Sequence, residues 1–101
     1  MTGARWLELV ETATGGNVTP GTMFGSKGLR TGTKFFAIIW QEQLVVKLPP
    51  SRLAELVEAG DGQPFEPMEG RRMNGWIVVE PSADWHSLAG EARIHVEAQQ
   101  K

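Results

Sequence analysis

Apolar residues recur along this chain with two different periods, and the period changes mark the elements. Trp6, Leu9, Val10 and Ala13 fall at i, i+3, i+4 and i+7, which predicts a helix from Ala4 to about Thr14 with a single apolar stripe. Gly15-Gly16 can end it, because glycine accepts the positive φ that follows a helix. Asn17 to Thr22 reads as a connection into a short edge strand near Thr22–Phe24, and Gly25-Ser26-Lys27-Gly28 as a polar turn. Leu29-Arg30 resumes extended structure and Thr31-Gly32-Thr33 turns again. Lys34 to Trp40 is β-branched and aromatic, a strand, and Gln43 to Leu48 pairs back on it across Gln41-Glu42. That pair lacks the Asn-Gly type of two-residue hairpins, so the turn type stays open.

Pro49-Pro50 stops the strand. Ser51 is the expected N-cap of a short helix over Arg52 to Ala59, with Leu53, Leu56 and Val57 inward and Gly60 as its C′ residue. A loop through Gly62-Gln63-Pro64-Phe65 leads to a weak strand reaching Met68, and Trp76 to Val79 forms the last strand. Trp85, Leu88, Ala89, Ala92 and Val96 repeat the helical period behind a Ser82 or Asp84 cap, and residues 98–101 are expected to fray. The order is helix, three strands, helix, one or two strands, helix. It predicts an α+β fold, a two-layer arrangement with a mainly antiparallel sheet and helices packed on one face.

The strand Phe35–Trp40 complicates that picture, because it is apolar on both sides: Phe35, Ala37 and Ile39 alternate with Phe36, Ile38 and Trp40. A two-layer sheet usually shows polar residues on its open face. Either the N-terminal segment or a terminal helix covers the second face, or Phe36, Ile38 and Trp40 form a self-association face that makes a homodimer.

With 101 residues, the chain suits one domain, residues 1–101, and 41% hydrophobic composition supplies its core. The composition limits function. A net charge of −2 argues against a generally basic nucleic-acid binder, and no apolar run reaches the ~20 residues of a membrane span. The N-terminal stretch is amphipathic rather than a secretory signal, which together with the missing cysteine makes a cytoplasmic location the expectation. Without cysteine there is no thiolate nucleophile and no thiolate metal site.

Catalytic constellations are sparse. His86 and His95 stand nine residues apart on the last helix, about 900° of rotation, and so point to opposite sides. Glu55, Glu58, Asp61, Glu66 and Glu69 give residues 55–69 a net charge of −5, without Asp-x-Asp spacing or an accompanying histidine. None of Ser26, Ser51, Ser82 and Ser87 sits in a Gly-x-Ser-x-Gly elbow. The expectation is a non-enzymatic protein with no cofactor and no metal.

Two features hint at anion binding. Gly25-Ser26-Lys27-Gly28 could turn backbone N–H groups toward a phosphate, although it lacks the Walker pattern and its flanks are extended rather than helical. Residues 25–53 carry a net charge of +4, and Arg71-Arg72 adds a basic pair. If Lys27, Arg30, Lys47, Arg71 and Arg72 met on one surface, they could contact a nucleic acid or another anionic ligand, with Trp40 or Trp76 for stacking. Solubilising charge on strands and turns is the simpler reading. Gly25 and Gly28 then serve backbone geometry, while Phe24, Phe36, Phe65, Trp6 and Trp85 fill the core.

Met23-Phe24-Gly25-Ser26-Lys27-Gly28-Leu29, Lys34-Phe35-Phe36-Ala37, Leu44-Val45-Val46-Lys47-Leu48 and Gly62-Gln63-Pro64-Phe65 follow in an order that resembles the N-terminal domain of TfoX/Sxy-type proteins. Met73 to Trp76 and the helix from Trp85 to Ala98 fit the rest of the pattern, so the resemblance spans about residues 18–98. Ser26 departs from a common second glycine and Trp76 from a common tyrosine. The resemblance implies a domain similar to the secretion-chaperone-like fold. It also implies a part in regulating DNA-uptake genes through protein partners, alongside the cyclic-AMP receptor protein. That role belongs to relatives with a second, C-terminal domain, and the matching segments correspond only to the first. The family supplies no catalytic residues.

Overall fold

A computed structural model describes residues 2–23, 25–68, 70 and 73–99. Three helices and six strands follow in the order α1 (Thr2–Ala13), β1 (Val18–Met23), β2 (Ser26–Thr31), β3 (Lys34–Trp40), β4 (Gln43–Lys47), α2 (Pro50–Ala59), β5 (Gly62–Pro64), β6 (Trp76–Val79) and α3 (Trp85–Gln99). The strands form one antiparallel sheet in the spatial order β1-β2-β3-β4-β6-β5. The α+β arrangement follows the sequence expectation. Extended structure between Val18 and Thr31 is longer than the pattern suggested, however, so four strands rather than three precede α2.

The helices lie on one face because each contributes an apolar stripe to a common core. Trp6 and Leu9 of α1, Leu56 of α2, and Trp85, Leu88, Ala89, Ala92 and Val96 of α3 are buried with Val18, Leu29, Leu44, Val46, Ile77 and Val79 of the sheet. Each large apolar side chain buried this fully contributes about 1.5–3 kcal/mol, which lets such a core hold without disulfide or metal. Polar fasteners close the layer. Arg5 donates to the Pro81 and Ala83 carbonyls at 2.6 and 2.8 Å and stacks 3.9 Å above the Trp85 ring. The buried Thr31 hydroxyl donates to Glu97 Oε2 at 2.7 Å, and Arg93 Nε donates to the same oxygen at 3.0 Å.

Several local expectations change. The N-cap of α2 is Pro49, not Ser51, and no side chain caps it; Pro50 opens the helix with a φ already suited to it. Gly60 does close α2, at φ 81°. Asp84 is the side chain that caps α3, accepting the Ser87 N–H at 3.1 Å. Helical structure continues through Gln99, two residues into the stretch expected to fray. Gln41 and Glu42 both take positive φ, 49° and 66°, so the β3–β4 turn is of type I′ despite its residues.

The doubly apolar strand resolves through a β-bulge. Leu29 faces Ala37 while Arg30 faces Phe35, which leaves Phe36 as the extra residue. Alternation breaks there. Phe36 joins Ala37 in the helix-side core, whereas Phe35, Ile38 and Trp40 belong to a second cluster on the opposite face. Phe36, Ile38 and Trp40 therefore do not share a face. Ile38 and Val45 are fully buried under Phe65, which arrives from the β5–β6 connection and meets Trp40 edge-on at 5.6 Å between centroids. The cover on the second face is thus that connection, rather than the N-terminal segment or a terminal helix.

Candidate functional site

Of the five cations singled out in the sequence, the three in described residues, Lys27, Arg30 and Lys47, do not all lie on one face of the sheet. Lys27 pairs with Thr22, and Arg30 with Thr19. Successive strand residues alternate between faces. Leu29 lies in the helix-side core, so Lys27 shares its side of the sheet while Arg30 lies on the other. Arg30 donates to the Thr19 hydroxyl at 3.3 Å and is exposed. Lys47, half-buried, pairs with Trp76 on the same face as Arg30. Arg71 and Arg72 lie outside the described residues, as does Phe24.

Gly25-Ser26-Lys27-Gly28 has structural duties. Gly25 sits at φ 74° in the two-residue turn between Met23 and Ser26. Gly28 lies under its neighbours, since a Cβ there would come 2.8 Å from Ile38 Cγ2 and 3.0 Å from Phe35 Cδ1. Phe35 also covers Gly21, so its ring occupies space that two glycines leave open.

The histidines stand apart, as their spacing predicts. His86 Nε2 is 3.9 Å from Glu8 Oε1, and His95 lines a crevice with Ser51, Arg52 and Glu91. Arg52 is already committed there: Nε and Nη2 reach the two Glu91 oxygens at 2.9 and 3.2 Å, and Nη1 reaches Glu55 at 3.2 Å. The Glu91 hydrogen bonds, then that of Glu55, raise the guanidinium pKa above its ordinary value. This fork ties α2 to α3. Among the described residues no group of three or more His, Asp or Glu side chains could hold a metal.

The pattern gave no sign of a groove of ≈ 440 Å³ between α2 and the turn before β6. Leu53, Val57, Pro64, Met73, Trp76 and Ile77 line it with apolar groups, and Glu58 and Asn74 bring polar groups. The turn is built by Met73-Asn74-Gly75-Trp76, whose Trp76 N–H donates to the Met73 carbonyl at 3.2 Å with Gly75 at φ 88°. Positive φ at the third position makes it type II, where glycine is required. On the other side, of the three α2 residues expected inward, Leu56 is buried in the core and Leu53 packs against it half-buried, but Val57 remains 44% exposed. Such a groove can hold an apolar side chain and place a carboxylate beside it.

Neither sheet edge offers a comparable opening. The Val18 N–H and C=O turn away from β2 to meet Gly15 at 2.9 and 3.1 Å. Pro20, two residues on, has the same outward orientation and no N–H to give. β5 spans only Gly62–Pro64 and lies against α2. No helix among the described residues is long and apolar enough to cross a membrane.

The model of the TfoX N-terminal domain family matches residues 9–92. No curated protein matches the chain.

Proposed function

Because the chain belongs to the TfoX N-terminal domain family, we propose that it is a non-enzymatic, cytoplasmic binding domain that acts through protein contacts in transcriptional regulation. The observation that supports this reading is the apolar groove beside α2, where Val57 stays exposed and Leu53, packed against the core on one side, lines the opening on the other. A concave apolar lining with a few polar groups is the form that binding sites take. Self-association belongs to the same reading.

The test is complementation in the native host. Ala54 is exposed and lines the groove, so Ala54→Trp fills it without entering the core. Deletion should change a defined set of transcripts, and the parent chain should restore them while Ala54→Trp, folded by circular dichroism, should not. An unchanged transcriptome after deletion would remove the regulatory role. Full restoration by Ala54→Trp would remove the groove from it.

A second reading, an anionic or nucleic-acid ligand, has one observation in its favour. Arg30 and Lys47 are the charged side chains at strand positions of the second sheet face, which also carries Phe35. Anisotropy titration of labelled single-stranded and duplex DNA at about 50 and 200 mM salt decides it, since phosphate contacts weaken steeply over that range.

A further inference from the structure

Resting on the protein-contact reading, we infer that the groove takes an aliphatic or aromatic side chain of a partner protein that carries a lysine or arginine beside it. The apolar half of this statement follows from the walls. Leu53 and Val57 from α2 face Pro64, Met73 and Ile77, and the ≈ 440 Å³ between them is at the lower end of the range for small-molecule pockets, the scale of a single anchor residue with its neighbours.

The charged half follows from what α2 presents at the opening. Glu58 lines the groove and has no hydrogen bond or ion pair among the described residues. Glu55, by contrast, is paired with Arg52 and lines the crevice with His95, so Glu58 is the carboxylate at this groove. Arg52, the basic residue of α2, is held by Glu91 and Glu55 and cannot neutralise Glu58. On the far side Lys47 runs past Gly75, its Cε 3.7 Å from where a Gly75 Cβ would lie. Glu58 on α2 is the charged residue of the groove lining, so the partner's cation belongs on the α2 side. The exposed β1 edge is a poor site for an added strand, because Pro20 has no N–H to give it, and this favours a side-chain anchor.

The experiment uses three acetylated, amidated heptapeptides of glycine, serine and alanine with a central leucine, followed by lysine, glutamine or glutamate. Each is titrated into the ¹⁵N-labelled full chain. The lysine peptide should shift the Val57, Glu58, Asn74 and Gly75 amides, at a dissociation constant about two- to fivefold below that of the glutamine peptide, with the glutamate peptide weakest. Glu58→Gln should erase the lysine preference and leave the glutamine peptide unchanged. Ala54→Trp should abolish all three. Equal affinity of the three peptides, or shifts centred on Arg30 and Phe35 instead, overturns the inference. So does the absence of any shift at the groove amides. Loss of complementation by Ala54→Trp together with no peptide binding would keep the protein-contact reading and refute this partner chemistry.

Discussion

Gly28 and Ile38 face each other across β2 and β3, and a Cβ on Gly28 would lie 2.8 Å from both Ile38 Cγ2 and the Ala37 carbonyl oxygen. The carbonyl belongs to a paired strand and cannot swing aside. Gly28→Ala should therefore overpack the junction and lower stability by about 1–3 kcal/mol in urea unfolding. Gly25→Ala provides the contrast. Nothing lies within 4 Å of its Cβ, so only the φ of 74° is penalised, at about 1–2 kcal/mol. A Gly28→Ala variant as stable as the parent would refute the close approach.

The β3–β4 turn carries strain that one substitution can remove. Gln41 and Glu42 are the described non-glycine residues with positive φ. Glycine at the second position of a type I′ turn suits this geometry, so Glu42→Gly should raise stability by about 1 kcal/mol. The gain is smaller than the full left-handed penalty because glycine also enlarges the unfolded ensemble. Thermal unfolding checks the sign, and a drop in midpoint would contradict the turn type.

Arg52 clamps α2 to α3 by a two-point contact with Glu91, but its side chain is 35% exposed and that of Glu91 39%. Solvent screens such a pair, so a double-mutant cycle of Arg52→Ala with Glu91→Ala should give a coupling of about 0.5–1 kcal/mol, shrinking as salt rises. A coupling near zero at low salt would mean that the fork contributes only packing.

Pro20 occupies the middle of the exposed β1 edge, at a position whose backbone faces outward. Pro20→Thr restores an N–H beside those of a strand already rich in threonine. The variant should associate more strongly than the parent in sedimentation velocity, with little change in monomer stability. Identical sedimentation of parent and variant would show that the edge is protected by something other than the missing donor.

Local chemistry determined the elements. The stripes Trp6–Ala13 and Trp85–Val96, the strands around Ile38, Val45 and Ile77, and the end of α2 at Gly60 all depend on periodicity or a single backbone preference, so they were legible one segment at a time. The ordered motifs also carried the family. What lay between segments was decided by tertiary structure. Simple alternation put Phe36 with Ile38 and Trp40, but the register against Leu29 and Arg30 inserts a bulge that turns Phe36 to the helices. No property of the strand alone encodes its partner's register. The same reason separates Lys27 from Arg30 across the sheet. The groove arises only where α2 meets the turn before β6; Leu56 is buried, Leu53 is half-buried against the core, and Val57, predicted inward, stays outside. Helical period fixes which residues share a stripe, but the volume available beneath the helix decides how much of that stripe is buried.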